Sequence, residues 1–350
     1  MSAPRYRWQP TTARIAARFG IPERQVVRFD HNTSPYPTDW APGLLAEPAC
    51  RLNEYPGADY APLRAAAARY AGVAPENVVP GAGVDEIIAM VARAFLEPGG
   101  LAGAPTPTYP LYRVVTHQRR ARLREVPLEG SDFGFPVAAL QRLAREVDLL
   151  WLCVPNNPTG VRLDDATLAE LVAGAPGIVV LDAAYAEISG DRWGAWISRH
   201  PNLVVCHTLS KGFGLAGIRV GYALATPELV ATLDAVRPPG SISSLSALLA
   251  ERALDDPARM TRRVARIVRE RSRLAELLAG LGFRVLPSAA NFLLCEVGSA
   301  APEVAERLLT EGLVVRTFPA DGPLDGYLRF TVRSPEEDDR LVDALERALS

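Results

Sequence analysis

Along the chain, apolar residues recur at two different periods. Residues 61–70, 85–95, 109–117, 137–145 and 164–172 carry them three and four apart, the spacing that gives a helix one buried face. Between these stretches lie short extended runs at 78–80, 101–104, 122–126, 149–154, 178–182, 203–206 and 218–224. Most are dense in Val, Ile and Leu, too short for a stable helix and too uniformly apolar for a sheet face open to water. Such alternation predicts an α/β fold, a mostly parallel sheet covered by helices on both faces. Pro238-Pro239-Gly240 interrupts the pattern. Helical periodicity then runs from 243 to 281, and extended segments at 283–286, 291–297, 314–316 and 327–332 alternate with two further helices. The predicted organisation is an N-terminal arm with part of a small domain (1–40), a large domain (41–237) and a small α+β C-terminal domain (238–350).

Composition narrows what this fold does. The chain has 350 residues, 48% hydrophobic and 22% charged, with a formal net charge of −2, enough for about two domains of ~150 residues each. That charge argues against nucleic acid or an anionic membrane surface as the main partner. The Arg-rich stretch at 259–273 has helical spacing and reads as a solvated helix face. No apolar run approaches the ~20 residues of a membrane span, and residues 1–10 lack a signal-peptide core. Cys50, Cys153, Cys206 and Cys295 are scattered without a C-x-x-C pair, and the last three sit in apolar runs. Buried free thiols in a soluble, cytoplasmic protein are the expectation. His31, His117, His200 and His207 show no metal-ligand spacing, so no metal site is expected.

One residue stands apart from this composition. Lys211 is the only lysine, every other one of the 38 basic side chains being arginine. Arginine replaces lysine wherever charge alone is needed, but a guanidinium does not lose its proton to become a nucleophile. A solitary lysine therefore points to amine chemistry, above all imine formation with a carbonyl cofactor. Its surroundings agree. Lys211 follows an apolar run on the glycine-rich loop Thr208-Leu209-Ser210-Lys211-Gly212-Phe213-Gly214, with Arg219 just beyond. Two hydroxyls and a guanidinium suit a phosphate. The letters Gly212-x-Gly214-x-x-Gly217 match a dinucleotide fingerprint. The β-branched sequence that follows reads as strand rather than helix, and no acidic residue lies near the required offset, so that reading fails.

Ligands of open α/β sheets bind beyond the carboxyl ends of the strands. Asp182 ends the run at 178–182 and either caps the next helix or pairs with a protonated pyridine nitrogen, as in pyridoxal phosphate. Tyr185 is within reach of that cofactor's phenolic oxygen. Asn157, in the turn Pro155-Asn156-Asn157-Pro158-Thr159-Gly160, faces the same cleft. Gly81-Ala82-Gly83-Val84-Asp85-Glu86 joins a strand to a helix, where backbone N–H groups cradle phosphate. Tyr109 offers an aromatic face, for packing or for stacking on a cofactor ring.

Taken together and in this order, these segments resemble the fold-type I pyridoxal-phosphate aminotransferases of class I/II over most of the chain. The resemblance implies that Lys211 carries the cofactor and then moves a proton at the substrate Cα. It assigns Asp182 to the ring nitrogen, Asn157 and Tyr185 to the phenolic oxygen, and Tyr109 to the ring face. Ala82, Gly83, Val84, Thr208, Ser210 and Arg219 would hold the phosphate, and Arg329 in Tyr327-Leu328-Arg329-Phe330 the substrate carboxylate. Within that superfamily the chain looks most like the histidinol-phosphate aminotransferase group, through its short length, the 209–219 loop and Tyr55-Pro56. The resemblance then implies a homodimer in which Tyr55 reaches the partner's cofactor phosphate. It further implies Arg316 as a second substrate arginine, and glutamate with 2-oxoglutarate as the second substrate pair. One departure is Asn32-Thr33-Ser34-Pro35, where the group carries N-E-N-P on the substrate side. An aromatic amino acid aminotransferase and a threonine-phosphate decarboxylase share the same core residues and stay open as alternatives. A regulatory module without turnover fits the complete catalytic set poorly.

Overall fold

The computed structural model describes residues 10–47 and 52–349. Cys50 lies outside them. Among the described residues twelve strands occur in the order β1 Val27–Arg28, β2 Val78–Gly81, β3 Leu101–Thr106, β4 Arg122–Pro127, β5 Leu149–Cys153, β6 Ile178–Asp182, β7 Leu203–Thr208, β8 Gly221–Leu224, β9 Arg284–Val285, β10 Phe292–Glu296, β11 Leu313–Val314 and β12 Tyr327–Thr331.

Seven of them form one sheet in the order β2-β8-β7-β6-β5-β3-β4. Only β8 runs against the rest. The expected parallel sheet is thus present, and its central strands are buried along nearly their whole length. Their alternation sorts side chains onto two cores. Leu150, Leu152, Val179, Leu181 and Val205 face one, packed with helices Ala61–Ala71, Val137–Ala144 and Asp165–Ala173. Trp151, Cys153, Val180, Val204 and Cys206 face the other, with helices Val84–Phe95, Leu111–Gln118 and Pro227–Val236. A third core gathers Phe29, Ile267, Leu274, Leu293, Phe330 and Leu341 around the antiparallel sheet β12-β10-β9.

Several expectations need correction. Residues 218–224 are not one strand. Ala216–Ile218 is a 3-10 turn, Arg219 takes a left-handed φ of 52°, and β8 begins only at Gly221. The helical stretch 243–281 is two helices, Ser244–Asp255 and Ala258–Gly280, because Pro257 cannot donate the bond that would continue the first. The extended run at 314–316 is displaced: β11 is Leu313–Val314, and Arg316 forms an isolated antiparallel bridge with Arg329. The short β1, parallel to β11, carries no periodic signal and is absent from the predicted elements. Arg259, Arg262, Arg266 and Arg269 do lie on an exposed helix face, but Arg263 turns back to bond the Phe213 carbonyl at 2.7 Å and Arg271 that of Ala290 at 2.8 Å. Cys153, Cys206 and Cys295 are buried free thiols. No helix among the described residues is long and apolar enough to cross a membrane.

The closest backbone approach in the sheet is at Gly221. A Cβ there would sit 2.7 Å from the Val84 nitrogen and 2.8 Å from both the Gly83 carbon and the His207 oxygen. All three are backbone atoms that cannot step aside. Gly221→Ala should therefore destabilise the protein by roughly 1–3 kcal/mol, the range for overpacking a tight interior, measurable as a lowered denaturant midpoint with unchanged slope.

Candidate active site

Sheet register brings the candidate residues to one rim. Cys153 lies opposite Asp182, and Asp182 opposite Cys206. Because β8 is antiparallel, its first residue, Gly221, is opposite both Gly81 at the end of β2 and Thr208 at the end of β7. The loops after β2, β3, β5, β6 and β7, and the loop before β8, therefore open on the same edge.

Lys211 sits on that edge. Its Nζ donates to the His31 carbonyl at 3.4 Å and lies 5.9 Å from the centre of the Tyr185 ring. Burial, followed by repulsion from the Arg329 guanidinium, lowers its pKa from 10.5 to about 8, with Asp85 and Asp182 opposing and Arg219 adding to the shift. The amine is thus partly unprotonated near neutrality, as a nucleophile or a base must be.

Asp182 is buried in the same cleft, 2% exposed. Burial raises its pKa from 3.8 to about 6, against the hydrogen bonds from Tyr112 Oη (2.6 Å) and the Ala184 N–H (3.1 Å). It is not a helix cap: the next helix, Ala186–Ser189, starts at Tyr185 with no side-chain cap. Tyr185 is also buried, which pushes its phenol upward, and its Oη accepts from Asn32 Nδ2 at 3.0 Å. Tyr109 meets Tyr112 edge to face, and its hydroxyl donates to Asp85 Oδ1 at 2.9 Å.

Beside Lys211 an anion cradle is assembled. Thr208 Oγ1 and Ser210 Oγ are buried and 3.0 Å apart. The Arg219 guanidinium packs so closely on Gly83 that a Cβ there would lie 2.9 Å from Nη2. Ala82, Gly83 and Val84 lead into the N-terminus of the helix Val84–Phe95. Carboxylates engage two of these donors: Glu86 Oε2 accepts from the Ala82 N–H at 2.6 Å, and Asp85 Oδ2 from Arg219 Nη2 at 3.1 Å. Two hydroxyls, a guanidinium and a helix N-terminus are the donor set of a phosphate site. With an aromatic ring, a buried carboxylate and an amine around it, the cleft fits pyridoxal phosphate chemically.

The opposite wall carries Arg329, 6% exposed. Its Nη1 donates to Asn157 Oδ1 at 2.5 Å and its Nη2 to the Asp30 carbonyl at 2.8 Å, while the guanidinium lies 5.0 Å from the centre of the Phe292 ring. Arg316 exchanges both backbone hydrogen bonds with Arg329, at 3.1 and 3.0 Å. Directly opposed cross-strand residues share a face, so both arginine side chains lie on one side of the small sheet. Tyr55 is not gathered here: its side chain is 96% exposed.

Three further residues of the site carry no role in the sequence pattern. Tyr112 is three positions beyond Tyr109, but the helix Leu111–Gln118 begins only after Tyr109, so their meeting does not follow from helical spacing. Asn32, φ 52°, ties Tyr185 to Thr331, whose Oγ1 lies 3.0 Å from both the Asn32 nitrogen and Oδ1. Asn156 braces the turn before Asn157 through Thr108, Pro107 and Thr159, at 2.7–2.9 Å. Both asparagines make tertiary contacts that no local pattern announces.

Fold and cleft together define an enzyme of the aminotransferase type. The family model for aminotransferase class I and II matches residues 27–345, and the chain belongs to that family. Among its relatives is the histidinol-phosphate aminotransferase of Roseiflexus castenholzii, 37% identical over 344 residues, covering 95% of this chain and 92% of that one. Another is histidinol-phosphate aminotransferase 2 of Archaeoglobus fulgidus, 36% identical over 330 residues, 93% and 94% covered. The solved histidinol-phosphate aminotransferase of Sinorhizobium meliloti, in complex with pyridoxal-5'-phosphate, superposes with a TM-score of 0.89 at 26% identity, covering 97% of this chain and 95% of that one. The L-threonine-O-3-phosphate decarboxylase of Porphyromonas gingivalis does so at 0.81 and 25% identity, with 93% and 99% covered. The fold-type I architecture expected from the sequence is the one these structures share.

The lowered pKa of Lys211 has a consequence for the protein without cofactor. Between pH 8 and 10.5 the unfolded chain still holds a proton that the folded chain has shed, so this residue makes stability rise with pH through that window. Lys211→Met removes the partly buried ammonium. The variant should melt at a higher temperature than the wild type at pH 7, and the difference should shrink to nothing as pH approaches 10.5.

Proposed function

We propose that this enzyme uses pyridoxal 5'-phosphate to exchange an amino group between histidinol phosphate and a 2-oxo acid, with glutamate and 2-oxoglutarate as the second pair. The observation that carries the reading is the convergence of a solitary lysine of lowered pKa, a buried carboxylate, an anion cradle and a buried arginine on one sheet edge. The identity of about 36–37% with enzymes named for histidinol phosphate, over more than nine-tenths of the chain, supports the donor.

In this reading Thr208, Ser210, Arg219 and the backbone of Ala82, Gly83 and Val84 hold the phosphate. Asp182 pairs with the ring nitrogen, Asn157 and Tyr185 face the phenolic oxygen, and Tyr109 covers the ring. The cofactor, when bound, supplies the electron sink that makes a substrate Cα–H acidic. Lys211 Nζ would take that proton from the substrate Cα and pass it to the cofactor carbon that receives the amino group, a role its pKa near 8 suits at neutral pH. Arg329 binds the carboxylate of glutamate through a bidentate contact. Arg316, on the same face, neutralises a second anionic group: the donor phosphate or the glutamate side chain. We take residues 41–237 as the cofactor domain, and residues 1–40 with 238–350 as the smaller one. The working unit is a homodimer, with the exposed Tyr55 reaching the partner's cofactor phosphate.

Two experiments test this. Borohydride treatment of the cofactor-loaded protein should fix the label on the peptide containing residue 211, and Lys211→Arg should remove both label and turnover. A donor panel of histidinol phosphate, phenylalanine, tyrosine and threonine phosphate, assayed with 2-oxoglutarate while carbon dioxide is followed, should favour histidinol phosphate without gas release. Arg316→Ala should depress turnover of the charged donors at least tenfold more than that of phenylalanine, one charge-assisted contact being worth about 1.5–3 kcal/mol. Equal losses would place Arg316 on the shared 2-oxoglutarate half of the reaction, and a wild-type preference for phenylalanine would turn the assignment to an aromatic aminotransferase. Carbon dioxide release would turn it to a decarboxylase.

For the assembly, mixing inactive Lys211→Ala chains with Tyr55→Phe chains should regenerate sites that carry both native residues. Cofactor retention by such mixed dimers should exceed that of Tyr55→Phe alone. A fully active monomer in sedimentation at assay concentration would end the shared-site proposal.

A further inference from the structure

Asp182 has two carboxylate oxygens in a dry environment, and the protein supplies each with one donor: the Ala184 N–H to Oδ1 and Tyr112 Oη to Oδ2. The backbone donor comes from the same turn and moves with Asp182. Tyr112 comes from a different element, the helix Leu111–Gln118, and is itself immobilised. It is 1% exposed and its ring lies 5.1 Å from that of Trp151 at an interplanar angle of 5°. Trp151 Nε1 in turn donates to Thr116 Oγ1 at 3.3 Å, on the helix that carries Tyr112. The ring is thus clamped between its own helix and the central strand β5, with its hydroxyl aimed at a carboxylate on β6.

We propose that Tyr112 is the positioning residue of this active site: through its hydroxyl it fixes the rotation of the Asp182 carboxylate and holds it ionised for the ligand that enters the cleft. The proposal rests on the reading of Asp182 given above. A buried carboxylate with free rotation and one backbone donor would protonate or turn aside, because desolvation disfavours its charge. The other groups around Asp182 do not substitute for Tyr112. Cys153 on β5 and Cys206 on β7 are thiols that burial keeps protonated. Asp85 at the rim repels a second negative charge, Tyr185 is a buried phenol already bonded by Asn32, and Lys211 attracts Asp182 while its amine donates to the His31 carbonyl. Tyr112 is therefore the side chain whose hydrogen bond favours the carboxylate directly.

The test uses Tyr112→Phe, which keeps the ring on Trp151 and removes the hydroxyl alone. In cofactor-free protein, the Asp182 carboxyl band is isolated by infrared difference against Asp182→Asn. Its titration midpoint should move up by at least one pH unit from the wild-type value near 6. Site-specific 3,5-difluorotyrosine at 112, a stronger donor of nearly the same shape, should move it down. Equilibrium dialysis at pH 7 should show about tenfold weaker pyridoxal phosphate binding by Tyr112→Phe, the loss of one hydrogen bond to a charged group, and the deficit should narrow as pH rises and Asp182 ionises. An unchanged midpoint in both variants overturns the proposal, as does a shift of the same sign in both. Should the midpoint move as expected while neither Tyr112→Phe nor Asp182→Asn alters cofactor binding, the Tyr112–Asp182 coupling stands and the assignment of Asp182 to the cofactor falls.

Discussion

The strand register of the seven-stranded sheet is the constraint on which everything else depends. A slip of one residue between two neighbours would turn every side chain of that strand to the other face. Asp182 would leave the helix Leu111–Gln118 and Tyr112 behind, and Trp151 would exchange cores with Leu150 or Leu152. The two-sided burial of β5, β6 and β7 forbids that slip. Each strand has a large apolar set that fits one core and a different set that fits the other, so the packing of the interior fixes the position of polar groups at the rim. The antiparallel β8 then closes the arrangement by bringing Gly221 between Gly81 and Thr208.

Against that rigid frame the cleft is poor in stability. A carboxylate is held out of water and an ammonium partly so, which disfavours their charged forms, and both respond by shifting toward their neutral forms. Lys211 and Asp182 hydrogen-bond to other groups rather than to one another: the His31 carbonyl for the amine, and the Tyr112 hydroxyl with the neighbouring Ala184 N–H for the carboxylate. This is a site arranged for an incoming molecule to complete, and the apolar cores on either face of the sheet supply the stability that the cleft forgoes.

Much of this is legible in the amino-acid sequence. The strands at 149–154 and 178–182 announce themselves because both faces are buried, and a solitary lysine among arginines singles out Lys211 through residue choice alone. Legibility stops where partners come from far along the chain. Pro257 splits a continuous helical period, and there a local rule suffices to place the break. The two-residue β1, the single bridge between Arg316 and Arg329, and the contacts of Asn32 with Tyr185, Thr331 and Asn291 have no periodic signature. Tyr112 falls between these cases: its helical position is visible, but the carboxylate it meets lies 70 residues away.

Residues 28–32 are threaded between the two halves of the cleft. Asp30 and Asn32 reach Arg329 and Thr331 across 299 residues of sequence, and His31 receives Lys211 across 180. An enzyme built this way has residues 27–32 emerge from the ribosome long before the strands that will receive them. The large sheet can form while synthesis continues, but β1 must wait for β11, and Phe29 to Asn32 for β12. Completion of the cleft is thus tied to the synthesis of β12: a product that stops short of it has Lys211, Asp182 and the Thr208, Ser210 and Arg219 donors, yet neither Arg329 nor the Thr331 hydroxyl that anchors Asn32 beside Tyr185.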